Sequence, residues 1–102
     1  MRLSFTLLFM LAAAVISGAQ DRRAAAHFQQ LLADANEGDA SAQNDLGIAY
    51  SEGNGTRRNQ KQAVYWFRKS AEQGDVYGTC NLGLHYSKGW GVRRNAVLMM
   101  KY

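Results

Sequence analysis

The 102 residues include no proline, so every turn must be made by other residues, and the ten glycines are the candidates. There is one cysteine, Cys80, which excludes an intramolecular disulfide and with it a disulfide-stapled scaffold. Cys80 falls in an apolar-periodic segment and is expected to be a small buried apolar residue rather than a free thiol. Strand-like alternation of apolar and polar residues is absent throughout, which argues against a sheet. Charge imbalance is slight: the net is +4, one unit of it from Arg2. That favours solubility and an acidic or phosphate-rich partner surface, without demanding nucleic acid. Metal and nucleophile chemistry also lack their parts. Cys80 and His85 stand five apart, about 140° around a helix, and cannot readily share an ion. Neither they nor His27 form a cysteine–histidine pair with an orienting group. No catalytic, cofactor-binding or metal-binding residue is therefore expected.

The first nineteen residues read as a segment apart. "MRLSFTLLFMLAAAVISGA" has an early positive charge at Arg2 and an apolar run from Leu3 to Ile16, interrupted by Ser4 and Thr6. It closes on the small residues Ser17, Gly18 and Ala19, the pattern of an export signal cleaved after Ala19. The run is shorter than the roughly 20 residues a membrane-spanning helix needs. The expected protein is thus exported, periplasmic or secreted, with no stable membrane anchor after cleavage. Export makes nucleic acid a poor partner.

What is abundantly present is repetition. "GNGTRRN" at 53–59 returns as "GWGVRRN" at 89–95, an offset of 36 residues. Gly38, Asp39, Leu46, Gly47, Tyr50 and Ser51 recur at the same offset as Gly74, Asp75, Leu82, Gly83, Tyr86 and Ser87. A fixed period of this size signals a solenoid. Each unit reads as two helices. Ala42, Leu46, Ala49 and Tyr50 follow helical spacing, between an N-cap at Asp39 and a stop at Gly53. The second helix opens on "NQKQ", a capping box from Asn59 to Gln62. Ala63, Trp66, Phe67, Ser70 and Ala71 form its small and apolar stripe, and Gly74 ends it. Gly47 and Gly83 sit mid-helix, where a glycine costs about 1 kcal/mol, so each is expected where another helix comes too close for a Cβ. The Gly-x-Gly joints, Gly53 with Gly55 and Gly89 with Gly91, turn the chain between helices. A phosphate loop would need Gly-Lys-Ser/Thr after a strand, and neither is there.

These positions resemble the Sel-one-like repeat, a relative of the tetratricopeptide repeat. The first copy matches at Ala42, Leu46, Gly47, Tyr50, Gly53, Gly55, Ala63, Trp66, Phe67, Ala71 and Gly74. The second matches at Leu82, Gly83, Tyr86, Gly89, Gly91 and Val92. "HFQQLLADANEG" from His27 looks like the second helix of an earlier unit, with Ala35 and Gly38 at the places of Ala71 and Gly74. The resemblance implies an all-α fold, αα-hairpins in a short right-handed superhelix that binds other proteins, without shared catalytic residues or cofactor. The expected organisation is an export signal at 1–19, a partial helix at 20–37, a complete repeat at 38–73 and a shortened repeat at 74–102.

The shortened copy sets a stability expectation. Tyr102 aligns with Trp66, so the last helix is expected to lack turns and to expose Leu98, Met99 and Tyr102. Solenoids generally need about three repeats with protected ends, so a monomer should be marginal. Self-association through that end, docking on a partner, or a truncated fragment with little independent function would each account for it. For binding, Arg57–Arg58 and Arg93–Arg94, preceded by Arg22–Arg23, would form a basic ridge for an acidic partner. Trp90 and Tyr77 are aromatics the repeat does not require. Gln43, Asn44, Thr79 and Asn81 are expected to line the inner curve as contact residues. An adaptor is the leading reading. The enzymatic alternative, β-lactam binding or hydrolysis as in cysteine-rich relatives, meets only one cysteine here.

Overall fold

A computed structural model describes residues 5–92, with side chains from Gly18 onward. Arg93, Arg94 and the tail containing Leu98, Met99 and Tyr102 lie outside the described residues. Four helices follow in order: α1 (Phe5–Asn36), α2 (Ala40–Glu52), α3 (Gln60–Glu72) and α4 (Val76–Lys88). No strand occurs among the described residues. Helix α1 runs without a break through Ala19, the expected cleavage point. No helix of the described residues is long and apolar enough to cross a membrane.

The caps explain why α2 and α4 have identical lengths of 13 residues. Asp39 accepts from the Ala42 amide at 3.0 Å, and Asp75 accepts from the Gly78 amide at 2.9 Å. Each saves a donor that the first turn would otherwise leave unpaired. At the other ends Gly53 and Gly89 adopt left-handed φ values of 72° and 70°. Their amides donate to Ala49 and His85 carbonyls. Asn59 caps α3 by accepting from the Gln62 amide at 3.1 Å. Helix α3 ends at Glu72 with Gln73 as its C-cap, and Gly74 follows at a left-handed φ of 84°.

Packing then builds two adjoining cores. In the first, Phe28, Leu31 and Ala35 of α1 meet Ala42, Leu46 and Ala49 of α2 and Trp66 of α3. In the second, Ala63, Val64 and Phe67 of α3 meet Leu82 and Tyr86 of α4, with Ile48 of α2 packed against them. The C-terminal half of α1 thus contributes one wall of the first core. Gly47 fulfils its expected role, because a Cβ there would stand 2.6 Å from ring carbons of buried Phe67. Polar bonds tie the stack as well. Ser70 Oγ donates to the Ala40 carbonyl at 2.8 Å, and Asn81 Nδ2 donates to Asn44 Oδ1 at 2.8 Å.

Cys80 corrects an expectation: it is exposed, not buried. Helix α4 turns Leu82, His85 and Tyr86 inward, and Cys80 lies on the opposite side, with Val76, Tyr77 and Leu84 also exposed. An apolar segment does not reveal which of its faces finds a neighbour.

Candidate functional site

The two joints are the most exact structural repeat in the molecule. Gly55 has φ 76°, and a Cβ there would stand 2.2 Å from the Ala24 carbonyl oxygen of α1. Gly91 has φ 70°, and a Cβ there would stand 2.3 Å from the Gln60 carbonyl oxygen of α3. Ala24 and Gln60 are themselves one period apart. Only glycine permits both the left-handed backbone and the approach. In consequence each joint rests on the turn that follows the preceding basic pair. The joint bearing Arg57 and Arg58 is held against Ala24, next to Arg22 and Arg23. The second joint is held against Gln60 and Lys61, just past Arg57 and Arg58.

All five of these cationic side chains are exposed. Arg22 also donates through Nε to the Gly18 carbonyl at 3.3 Å. The joint itself is fixed by the Asn59 amide donating to the Tyr50 carbonyl at 2.8 Å. The described members of the expected ridge, Arg22, Arg23, Arg57, Arg58 and Lys61, thus stand exposed near the two seats in sequence. Arg93 and Arg94, its continuation by register, are outside the described residues.

Behind this edge lies a polar hub around His85, which is buried. Gln60 bridges to it: its amide nitrogen donates to the Ser51 carbonyl at 3.3 Å, and its amide oxygen faces His85 Nε2 at 2.9 Å. His85 Nδ1 faces the Asn81 carbonyl at 2.9 Å, and Ser51 Oγ stands 3.4 Å from Nε2. Phe67 and Trp90 pack on the ring at centroid distances of 5.0 and 5.3 Å. Burial lowers the His85 pKa below its ordinary 6.5, and the bond to the Asn81 carbonyl opposes that only partly. The hub gathers α2, α3, α4 and the second joint on one imidazole. Its position holds Ala49 in the first copy, so the repeat pattern gave no signal for it.

The other candidates divide sharply. Trp90 is 39 % exposed while its ring packs edge-on against His85. Tyr77 is 73 % exposed. Gln43 and Asn44 are buried, which takes them off the accessible inner curve. Gln43 donates to the Ala35 carbonyl at 3.1 Å and accepts from Gln73 at 2.8 Å. Asn44 is occupied by Asn81, and Thr79 donates to the Asp75 carbonyl at 2.8 Å. The bonds of Gln43, Asn44 and Asn81 tie helices together, whereas that of Thr79 stays within the first turn of α4. Motif reading also missed a cleft of about 180 Å³ between α1 and α2, lined by His27, Leu31, Asp45, Ile48, Ala49 and Asn54. Among the described residues no group of three or more His, Cys, Asp or Glu side chains could hold a metal ion.

The Sel1 repeat model matches residues 40–75 and 76–98. Among solved structures, one similar chain is c5321, described as a protective antigen present in uropathogenic Escherichia coli strains displaying an SLR fold. It is 36 % identical at a TM-score of 0.74, over 76 % of this chain and 16 % of that one. A Sel1 repeat protein from Oxalobacter formigenes is 35 % identical at a TM-score of 0.68, over 70 % of this chain and 29 % of its own. The chain thus spans less than a third of either relative. No curated protein matches it.

Proposed function

The chain belongs to the Sel1 repeat family, and from that premise we propose that it is an exported, non-catalytic adaptor that binds an acidic protein surface along its joint edge. Sel1 repeat proteins form helical scaffolds that commonly mediate protein–protein interaction. The observation that carries the finer reading is the seating of Gly55 on Ala24 and of Gly91 on Gln60. It supports a common edge for Arg22, Arg23, Arg57, Arg58 and Lys61, none of which the turn itself requires. Such a surface gains from complementary charge mainly in encounter rate and specificity, and the contact weakens with salt. Trp90, half free beside the second joint, supplies an aromatic anchor of the kind that dominates interface energies. Export is supported by the charge, apolar run and small residues of 1–19.

The test is affinity capture from envelope and secreted fractions with the native chain and the Arg57→Glu/Arg58→Glu variant. The native chain should retain a partner that elutes as salt rises from about 50 to 300 mM, and the variant should bind it at least about tenfold more weakly. Equal capture by both chains would remove the basic edge from the reading. Intact mass of the exported chain should correspond to residues 20–102; a full-length cytoplasmic product would remove export.

A further inference from the structure

We propose that His85 is a proton-operated latch between α4 and the second joint. Its charged ring grips the Gln60 amide oxygen, and its neutral ring lets that oxygen go and takes a hydrogen bond from Ser51 instead. The hydrogen-bond roles around the ring leave little choice. The Asn81 carbonyl, 2.9 Å from Nδ1, can only accept. The Gln60 amide has two possible orientations, and the Ser51 carbonyl selects one of them. The amide nitrogen has to face that carbonyl, 3.3 Å away, because two oxygens would repel. That puts the amide oxygen 2.9 Å from Nε2, where it too can only accept. Both ring nitrogens therefore face acceptors. An imidazolium has two N–H donors and satisfies both, whereas a neutral imidazole has one.

The neutral ring keeps its one proton on Nδ1, since the Asn81 carbonyl is fixed in the α4 backbone one turn earlier. Nε2 then turns a lone pair toward the Gln60 oxygen, and that contact becomes repulsive. Among the described residues the donor within reach of Nε2 is the Ser51 hydroxyl, 3.4 Å away. Ser51 therefore closes on the neutral ring while the Gln60 oxygen withdraws. No ionised side chain competes for the ring. Glu52 of α2, Lys61 of α3 and Lys88 of α4 are the charged residues nearest the hub in sequence, and all three are exposed and make no bond to it. Tyr86, next along α4, accepts from Arg68 through its hydroxyl. Phe67 of α3 and Trp90 of the joint face the ring without charge. Burial holds protonation below the ordinary 6.5, so the latch closes only in acid.

What the latch moves is the second joint. Gln60 is the first residue of α3, and its backbone carbonyl is the seat on which Gly91 rests. Trp90 packs edge-on against the His85 ring. Protonation thus ties the seat of the joint to α4 through one side chain. It also places a charge directly beneath the aromatic that the joint displays. The first joint has no counterpart, because Ala49 stands one period before His85 and Ala24 one period before Gln60.

The experiment follows the imidazole nitrogens by NMR in the isotope-labelled full chain, with His85→Gln to tell the two histidines apart. The neutral His85 ring should carry its proton on Nδ1, and its titration midpoint should lie below 6.5. Gln60→Met removes the acceptor that favours the charged ring and should lower the midpoint by about 1 pH unit. Ser51→Ala removes the donor that favours the neutral ring and should raise it by about 0.5. A merely structural role for these residues would loosen the hub and move both midpoints the same way, toward 6.5. If Gln60→Met loses helicity, Gln60→Glu takes its place, and its carboxylate should raise the midpoint above 6.5, beyond what loosening reaches. Tryptophan emission should fall with the native midpoint, because an imidazolium in contact quenches indole, and the fall should vanish in His85→Gln and in Trp90→Phe. Midpoints of Gln60→Met and Ser51→Ala that move together or not at all, a neutral ring protonated on Nε2, or emission that ignores the His85 titration would overturn the proposal.

Discussion

Helices α2 and α4 occupy equivalent places in successive repeats and share length, caps and inward leucines. They differ in what lies beyond them. Helix α2 is enclosed by α1, α3 and α4, and even its polar Gln43 and Asn44 are buried. Among the described residues helix α4 meets α2 and α3, and its apolar Val76, Tyr77 and Leu84 are exposed. Burial in a solenoid is thus assigned by the neighbour more than by the residue. A polar side chain is tolerated inside when the next helix brings a hydrogen-bond partner.

The sharpest way to widen the contrast is to truncate one buried leucine of α2 and one exposed leucine of α4. Leu46→Ala, at a fully buried position between the first core's three helices, should cost about 3 kcal/mol in urea denaturation. Leu84→Ala should cost less than about 1 kcal/mol. Next comes close approach. Gly47→Ala forces a methyl group against Phe67, and a net loss of about 1–2 kcal/mol is expected despite the helix-propensity gain of about 1 kcal/mol. A smaller effect separates Asn44 from Cys80. Asn44→Ala leaves the Asn81 amide without its acceptor and should cost about 1 kcal/mol, whereas Cys80→Ala should stay within about 0.5 kcal/mol. The smallest is pH dependence at the hub. The His85 pKa is lowered in the fold, so the unfolded chain takes up the proton first as pH falls. Stability contributed by neutral His85 should be whole above about pH 6.5 and decline below it, through the lowered folded pKa. Denaturation series from pH 7.5 to 4.5 should show this slope in the native chain and a flatter one in His85→Gln.

Much of the architecture was legible because its signals are local. Asp39, Asn59 and the joint glycines act on amides and dihedrals a few residues away, and the caps formed where those residues stand. Gly47 was legible as a place of close approach, though not that Phe67 is the neighbour. The binding candidates were only partly legible. Arg57, Arg58 and Trp90 stand in joints and are exposed. Gln43 and Asn44 looked like surface residues by type, yet their partners Ala35, Gln73 and Asn81 come from three other helices. The His85 hub had no signature because its contacts come from residues 4 to 34 positions away.

By itself the sequence determined the period, the helix ends, the joints and the spacing of the basic pairs. Those follow from backbone hydrogen bonding and glycine's left-handed freedom, which neighbouring residues decide among themselves. Only the tertiary structure decided that Asn44 is inside and Cys80 outside. It likewise seated each joint on the turn following the previous basic pair, and gathered three helices on one imidazole. Each of these outcomes depends on which helix lies alongside, and that is set by packing between segments a repeat apart.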